Sequence, residues 1–108
     1  MIYNIHIMDA AKAEMREIYN HIAGELNQPA AARRISLIEA AIQSLKENPA
    51  SRALVRDTYL ASKGYRMIVV KSHLVFCIVR EEERAVSVMR ILYGRRDWMR
   101  LLRADELG

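Results

Sequence analysis

Between Gly64 and Tyr93 the chain holds three apolar segments, separated only by the polar connections Lys71-Ser72-His73 and Glu81-Glu82-Glu83. Connections this short cannot carry a crossover, so successive segments must run back beside one another as an antiparallel meander. The predicted strands are Gly64–Val70, Leu74–Arg80 and Arg84–Tyr93. A sheet of this kind needs an apolar layer to cover it.

The preceding residues supply that layer. Residues 2–8 set Ile2, Asn4 and His6 against Tyr3, Ile5 and Ile7, which predicts a first strand of ambiguous face. Asp9 suits a helix N-cap. Ala11, Met15, Ile18 and Ile22 then form a helical stripe, widened by Tyr19. Gly24 and Asn27-Gln28-Pro29 break that helix, and Pro29 suits the first turn of another. Ala31, Ile35, Ile38, Ile42 and Leu45 repeat the spacing until Asn48-Pro49 stops it. Ala53–Leu60 reads as a strand or an extended loop. Asp97–Glu106, with Trp98, Leu101 and Leu102 on one side, reads as a short helix. The expected fold is α+β: an N-terminal strand, an antiparallel helix hairpin packed on a mainly antiparallel four-stranded sheet, and a short C-terminal helix. At 108 residues, positions 1–108 are expected to form a single domain.

Composition narrows the function classes. A hydrophobic fraction of 52% suits a folded globule. The lone Cys77 lies in the apolar run Leu74–Val79, where a buried, reduced thiol is expected rather than a nucleophile. No apolar run approaches the roughly 18 residues that span a bilayer. The first residues have neither a basic n-region nor a cleavable h-region, so a cytoplasmic location is expected, without membrane association. The net charge of +4 is uneven: residues 1–51 hold five Lys/Arg against six Asp/Glu, and residues 52–108 hold twelve against seven. An anionic partner is therefore expected to meet the second half.

Strand parity singles out two arginines. Arg90 falls in step with Val86, Val88 and Leu92, and Arg66 with Ile68 and Val70. An arginine on an apolar strand face is either paired with a carboxylate, placed at the rim of a cleft, or snorkelling from a strand end. With Arg95 and Arg96 just beyond the last strand, these two suggest a shared basic concavity gripping phosphates or carboxylates. Trp98 either anchors the last helix on the sheet or stacks on a target. His6, His21 and His73 fit no metal-ligand spacing, and no cofactor motif is present, so neither metal nor cofactor is expected. Glu81-Glu82-Glu83 reads as a solvated hairpin that discourages edge aggregation.

The order of these features resembles the ParE/RelE superfamily of bacterial toxin-antitoxin toxins. The first strand and helix carry Glu14, Glu17, Ile18 and Tyr19 in the familiar pattern, and Asn48-Pro49 matches a common family helix stop. Gly64-Tyr65-Arg66-Met67-Ile68, followed by His73-Leu74-Val75-Phe76-Cys77-Ile78-Val79, is similar to the family's central hairpin. The tail Arg90-Ile91-Leu92-Tyr93-Gly94-Arg95-Arg96-Asp97 is the most specific part. The resemblance implies a small toxin held inactive by a cognate antitoxin protein, and contact with operator DNA only indirectly, through that antitoxin.

The superfamily divides by target. RelE-like members are ribosome-dependent mRNA endonucleases, and ParE-like members inhibit DNA gyrase. Cleavage of RNA needs a base for the 2′-hydroxyl, an acid for the leaving oxygen and cations for the phosphorane-like charge. Arg66, Arg90, Arg95 and Arg96 could supply the cations. RelE-like enzymes commonly carry a tyrosine or histidine after the last strand, and here none follows Arg96. Tyr93 is a substitute, although its parity with Met89 and Ile91 suggests packing. The expectation is therefore the ParE-like branch, with Arg90, Arg95, Arg96 and Trp98 as target contacts. A third reading, a non-toxic interaction module with the same fold, would leave growth unchanged on overexpression. The antitoxin is expected as an extended or helical segment across the apolar and basic surface of the second half, in a groove between helix hairpin and sheet.

Overall fold

A computed structural model of the chain describes residues 2–108. Its elements are β1 (Asn4–Ile7), α1 (Asp9–Glu25), α2 (Gln28–Ser44), α3 (Thr58–Ser62), β2 (Tyr65–Val70), β3 (His73–Arg80), β4 (Ala85–Tyr93) and α4 (Trp98–Leu107). A 3-10 turn at Pro49–Ser51 follows α2. The sheet order is β1-β4-β3-β2, with β1 parallel to β4 and the other pairs antiparallel. The expected α+β architecture is present.

Local chemistry explains most boundaries. Asn27 Oδ1 accepts from the Ala30 N–H at 2.8 Å, and Pro29 occupies the first turn of α2. Asp9 is not the N-cap expected of it. Met8 holds that position, and Asp9 is a first-turn acid favoured by the helix dipole. Gly24 lies inside α1, so the break comes at Leu26-Asn27. The ambiguous Ala53–Leu60 region makes one bridge, from Leu54 to Arg66, and then enters α3, where Asp57 Oδ1 accepts from the Leu60 N–H. The β2–β3 connection is shorter than expected. Lys71, at φ 56°, and Ser72 form the turn, and His73 already pairs with Val70 in β3.

The sheet is covered on both faces. One face carries Ile68, Val70, Val75, Cys77, Val86 and Val88 against the α1–α2 hairpin, where Ile38 and Ile42 are fully buried. Each such side chain contributes roughly 1.5–3 kcal/mol of transfer free energy, so a charge at Ile38 would unseat the hairpin. Tyr3, just before β1, and Ile5 and Ile7 within it face this core, leaving Asn4 and His6 exposed. The other face carries Tyr65, Phe76 and Leu92 against Leu60 of α3 and Leu102 of α4. Cys77 is fully buried, and burial pushes its thiol up to about 11.

An irregularity in the last strand corrects the parity reading of Arg90. Phe76 pairs with Arg90 but Cys77 pairs with Val88, so Met89 is an extra residue on β4, a β-bulge. Upstream of it Val86 and Val88 face the helix hairpin. Downstream Ile91 faces the hairpin, while Leu92 joins the α3–α4 side. Arg90 therefore does not share a face with Val86 and Val88. It also lies past the end of β1, which pairs only as far as Val88, so its side chain emerges at an open sheet edge.

Candidate functional site

Arg90 uses that edge to join three elements. Its Nε and Nη2 donate to Glu14 Oε2 of α1 at 2.9 and 2.8 Å, and its Nη1 donates to Asp105 of α4 at 3.0 Å. The second Glu14 oxygen accepts the Ile91 N–H at 2.9 Å, satisfying a buried backbone donor. The Glu14 hydrogen bond, followed by that of Asp105, holds the Arg90 pKa above its already high value. The sequence alternative of a carboxylate-paired arginine is what the structure contains, and the acid comes from the first helix, 76 residues away, where no local pattern links it to Arg90.

The remaining predicted site residues divide. Arg66 lies on the hairpin face of β2, half-buried, with Nη1 donating to the Arg52 carbonyl at 2.6 Å. The strands carrying Arg66 and Arg90 are not neighbours, because β3 separates them, and the two side chains leave opposite faces. The shared concavity of Arg66, Arg90, Arg95 and Arg96 is thus not assembled. Trp98 packs on Phe76 with ring centroids 5.1 Å apart, half-buried, in the anchoring role. Arg95 and Arg96 are exposed on the segment between β4 and α4, with Asp97 capping α4 through its Oδ1 to the Arg100 N–H. Tyr93 is 40% exposed rather than packed away.

Tyr93 and Arg96 line a groove of about 890 Å³ between the loop end of the helix hairpin and the far end of the sheet. Its floor is apolar, from residues such as Ile18, Ile22 and Leu37, with Leu26 72% exposed at one end. Glu17 and Glu25 lie on the α1 wall, and Arg33, Arg34, Lys71 and Arg96 on the facing side. Two of these four cations come from α2 and two from the more basic second half.

His73, read from sequence as a turn residue, is buried at this wall, 8% exposed. Its Nδ1 lies 3.2 Å from Arg34 Nη1, and its ring meets Tyr93 edge-on at 5.8 Å. A guanidinium only donates, so Nδ1 accepts and the neutral ring carries its proton on Nε2. Burial first, then the charges of Arg34 and His21, lower the His73 pKa. No periodicity could have revealed the Arg34–His73 pair, since its members stand 39 residues apart. Among the described residues no cluster of His, Cys, Asp or Glu could hold a metal ion, and no helix is long and apolar enough to cross a membrane.

Residues 5–98 match the family described as the ParE toxin of the type II toxin-antitoxin system parDE. No curated protein matches the chain. Among solved structures, a chain of the chromosomal ParDE toxin-antitoxin system of P. aeruginosa superposes with a TM-score of 0.69 at 15% identity, covering 85% of this chain and 96% of that one. A chain of the toxin-antitoxin complex RelBE2 of Mycobacterium tuberculosis gives 0.58 at 17% identity, covering 86% and 92%. At such identities the likeness is one of fold.

Proposed function

Because the chain belongs to the ParE toxin family of type II toxin-antitoxin systems, we propose that it arrests growth by inhibiting DNA gyrase, and that an antitoxin segment occupying the groove restrains it. The observation that carries the gyrase reading is the commitment of the candidate catalytic cations. Arg90 is neutralised by Glu14 and Asp105, and Arg66 is bound to a carbonyl on the opposite face. The His73 lone pair at Nδ1 is also taken, so the neutral ring has no free base. Arg95 and Arg96 stay exposed, and in a contact surface they would meet acidic protein groups or DNA phosphates.

The groove supports the antitoxin part. An apolar floor between walls of opposite charge suits an amphipathic polypeptide carrying both signs. Ribosome-dependent mRNA cleavage is the competing activity, and one experiment separates the two. The purified chain is incubated with gyrase and plasmid, and in parallel with programmed ribosomes. Blocked supercoiling or trapped cleavage complexes with intact mRNA is the expected result. Cut mRNA with gyrase unaffected would overturn the reading and make Tyr93 the first residue to substitute.

A further inference from the structure

Arg34 differs from the other groove cations in being held in place with part of its guanidinium unused. Nη1 donates to Ser72 Oγ at 3.3 Å and to His73 Nδ1 at 3.2 Å, which fixes the plane against the β2–β3 turn. Among the described residues no carboxylate pairs with it, and its Nε–H and Nη2 N–H groups have no protein acceptor. Those two nitrogens form the edge that receives a carboxylate side-on. Arg90 shows the edge in use: its Nε donates to Glu14 Oε2 and its Nη2 lies 2.8 Å from the same oxygen, while Nη1 is engaged with Asp105. Arg34 has the matching Nη1 engagement without the carboxylate.

We propose that the Nε–Nη2 edge of Arg34 is the anchor for a carboxylate of the groove's occupant, and that His73 is the positioning residue presenting it. The proposal rests on the reading that an antitoxin segment fills this groove, and it assigns that segment an Asp or Glu opposite Arg34. Lys71, Arg33 and Arg96 add positive potential around the site. Glu17 and Glu25 on the facing helix disfavour a polyanion along the groove, which selects a peptide acid over a nucleic-acid phosphate. Holding the guanidinium beforehand removes rotamer entropy that a free arginine loses on binding.

The charges facing His73 are Arg34 of α2, its largest neighbouring charge, and His21 of α1, with the Tyr93 ring from β4 at its edge. A carboxylate seated on Arg34 cancels one of the charges holding the imidazole neutral. The His73 titration midpoint must then rise toward its ordinary value, a response that a merely structural histidine would not give.

The test uses the full-length, isotope-labelled chain, with acetate replacing chloride at fixed ionic strength as the probe. Acetate should shift the Arg34 Nε–H resonance saturably and raise the His73 midpoint. Arg34→Gln should abolish the His73 response, whereas Arg33→Gln should retain both responses. A linear, non-saturating shift shared by Arg33 and Arg34 would overturn the site. In a second arm, the antitoxin encoded beside the toxin is titrated against the same variants. Arg34→Gln should weaken binding about tenfold or more, as loss of a charge-assisted bidentate pair does. Arg34→Lys should recover little of it, and Arg33→Gln should change it less than Arg34→Gln. Equal binding to the wild type and to Arg34→Gln overturns the Arg34 assignment and leaves the antitoxin reading standing. Failure to bind the wild-type chain removes that reading, and the proposal with it.

Discussion

Replacing Glu14 with alanine should be among the most damaging single changes outside the apolar core. The carboxylate side chain is only 10% exposed and serves two donors at once, the Arg90 guanidinium and the Ile91 N–H. Losing a charge-assisted bond costs about 1.5–3 kcal/mol, and stranding a buried N–H about 1–3 kcal/mol. Arg90 keeps Asp105 and partial access to water, its side chain being 17% exposed, so the two costs do not add fully. The expected loss is about 3 kcal/mol. With a urea m-value of about 1.5 kcal/mol/M, the unfolding midpoint falls by about 2 M. Glu14→Gln keeps an acceptor for Ile91 and loses only the charge, so it should cost about half as much. Asp105→Ala breaks the more exposed arm, whose carboxylate is 37% exposed, and should cost about 0.5–1 kcal/mol. Urea titrations followed by far-UV dichroism rank the three variants. A Glu14→Ala cost no greater than that of Asp105→Ala would refute this and make the clasp an ordinary surface ion pair.

Two further outcomes follow from the buried titratable groups. The folded-state pKa of His73 is lowered, so the unfolded chain binds its proton first as the pH falls through about 6.5. The stability this residue contributes is complete above that pH and is lost as the pH drops toward the folded value. The stability gap between wild type and His73→Gln should therefore shrink from pH 7.5 to 5, and a flat gap in urea titrations at several pH values would refute it. With its thiol pushed up to about 11 and fully buried, Cys77 should not react with a disulfide reagent at pH 8 until the chain unfolds. Comparable labelling rates with and without denaturant would contradict that placement.

What could be read from the sequence was whatever repeats with a period. The stripes of α1 and α2 and the alternation of β2, β3 and β4 each recur often enough to reveal their faces. The single extra residue at Met89 has no period, yet it reverses the facing of everything after it, which is why parity misplaced Arg90. The α3 turn was hidden for a similar reason. Its five residues are too short for a stripe, and its signal was the Asp57 cap alone. The groove was legible in outline, as a space between hairpin and sheet. Its working side chains were not, because Arg34 and His73 gain their character only from each other. Arg95 and Arg96 stayed where the sequence put them, exposed beyond the last strand.

The position of β4 has a consequence in time. It is the last strand in sequence and sits between β1 and β3, so it is the piece that both neighbours wait for. While the chain is being synthesised, β1 has no partner and the inner edge of β3 stays open. The hairpin of α1 and α2 can form early, but only over an unfinished floor. Pairing residues 4–7 with residues 85–88 is a long-range closure, the slow kind of folding step. The groove wall formed by Ile91, Tyr93 and Arg96 arrives in the same late stretch. Translation thus delivers the hairpin side of the groove first and its sheet side last, so the groove is complete only when the final strand has paired.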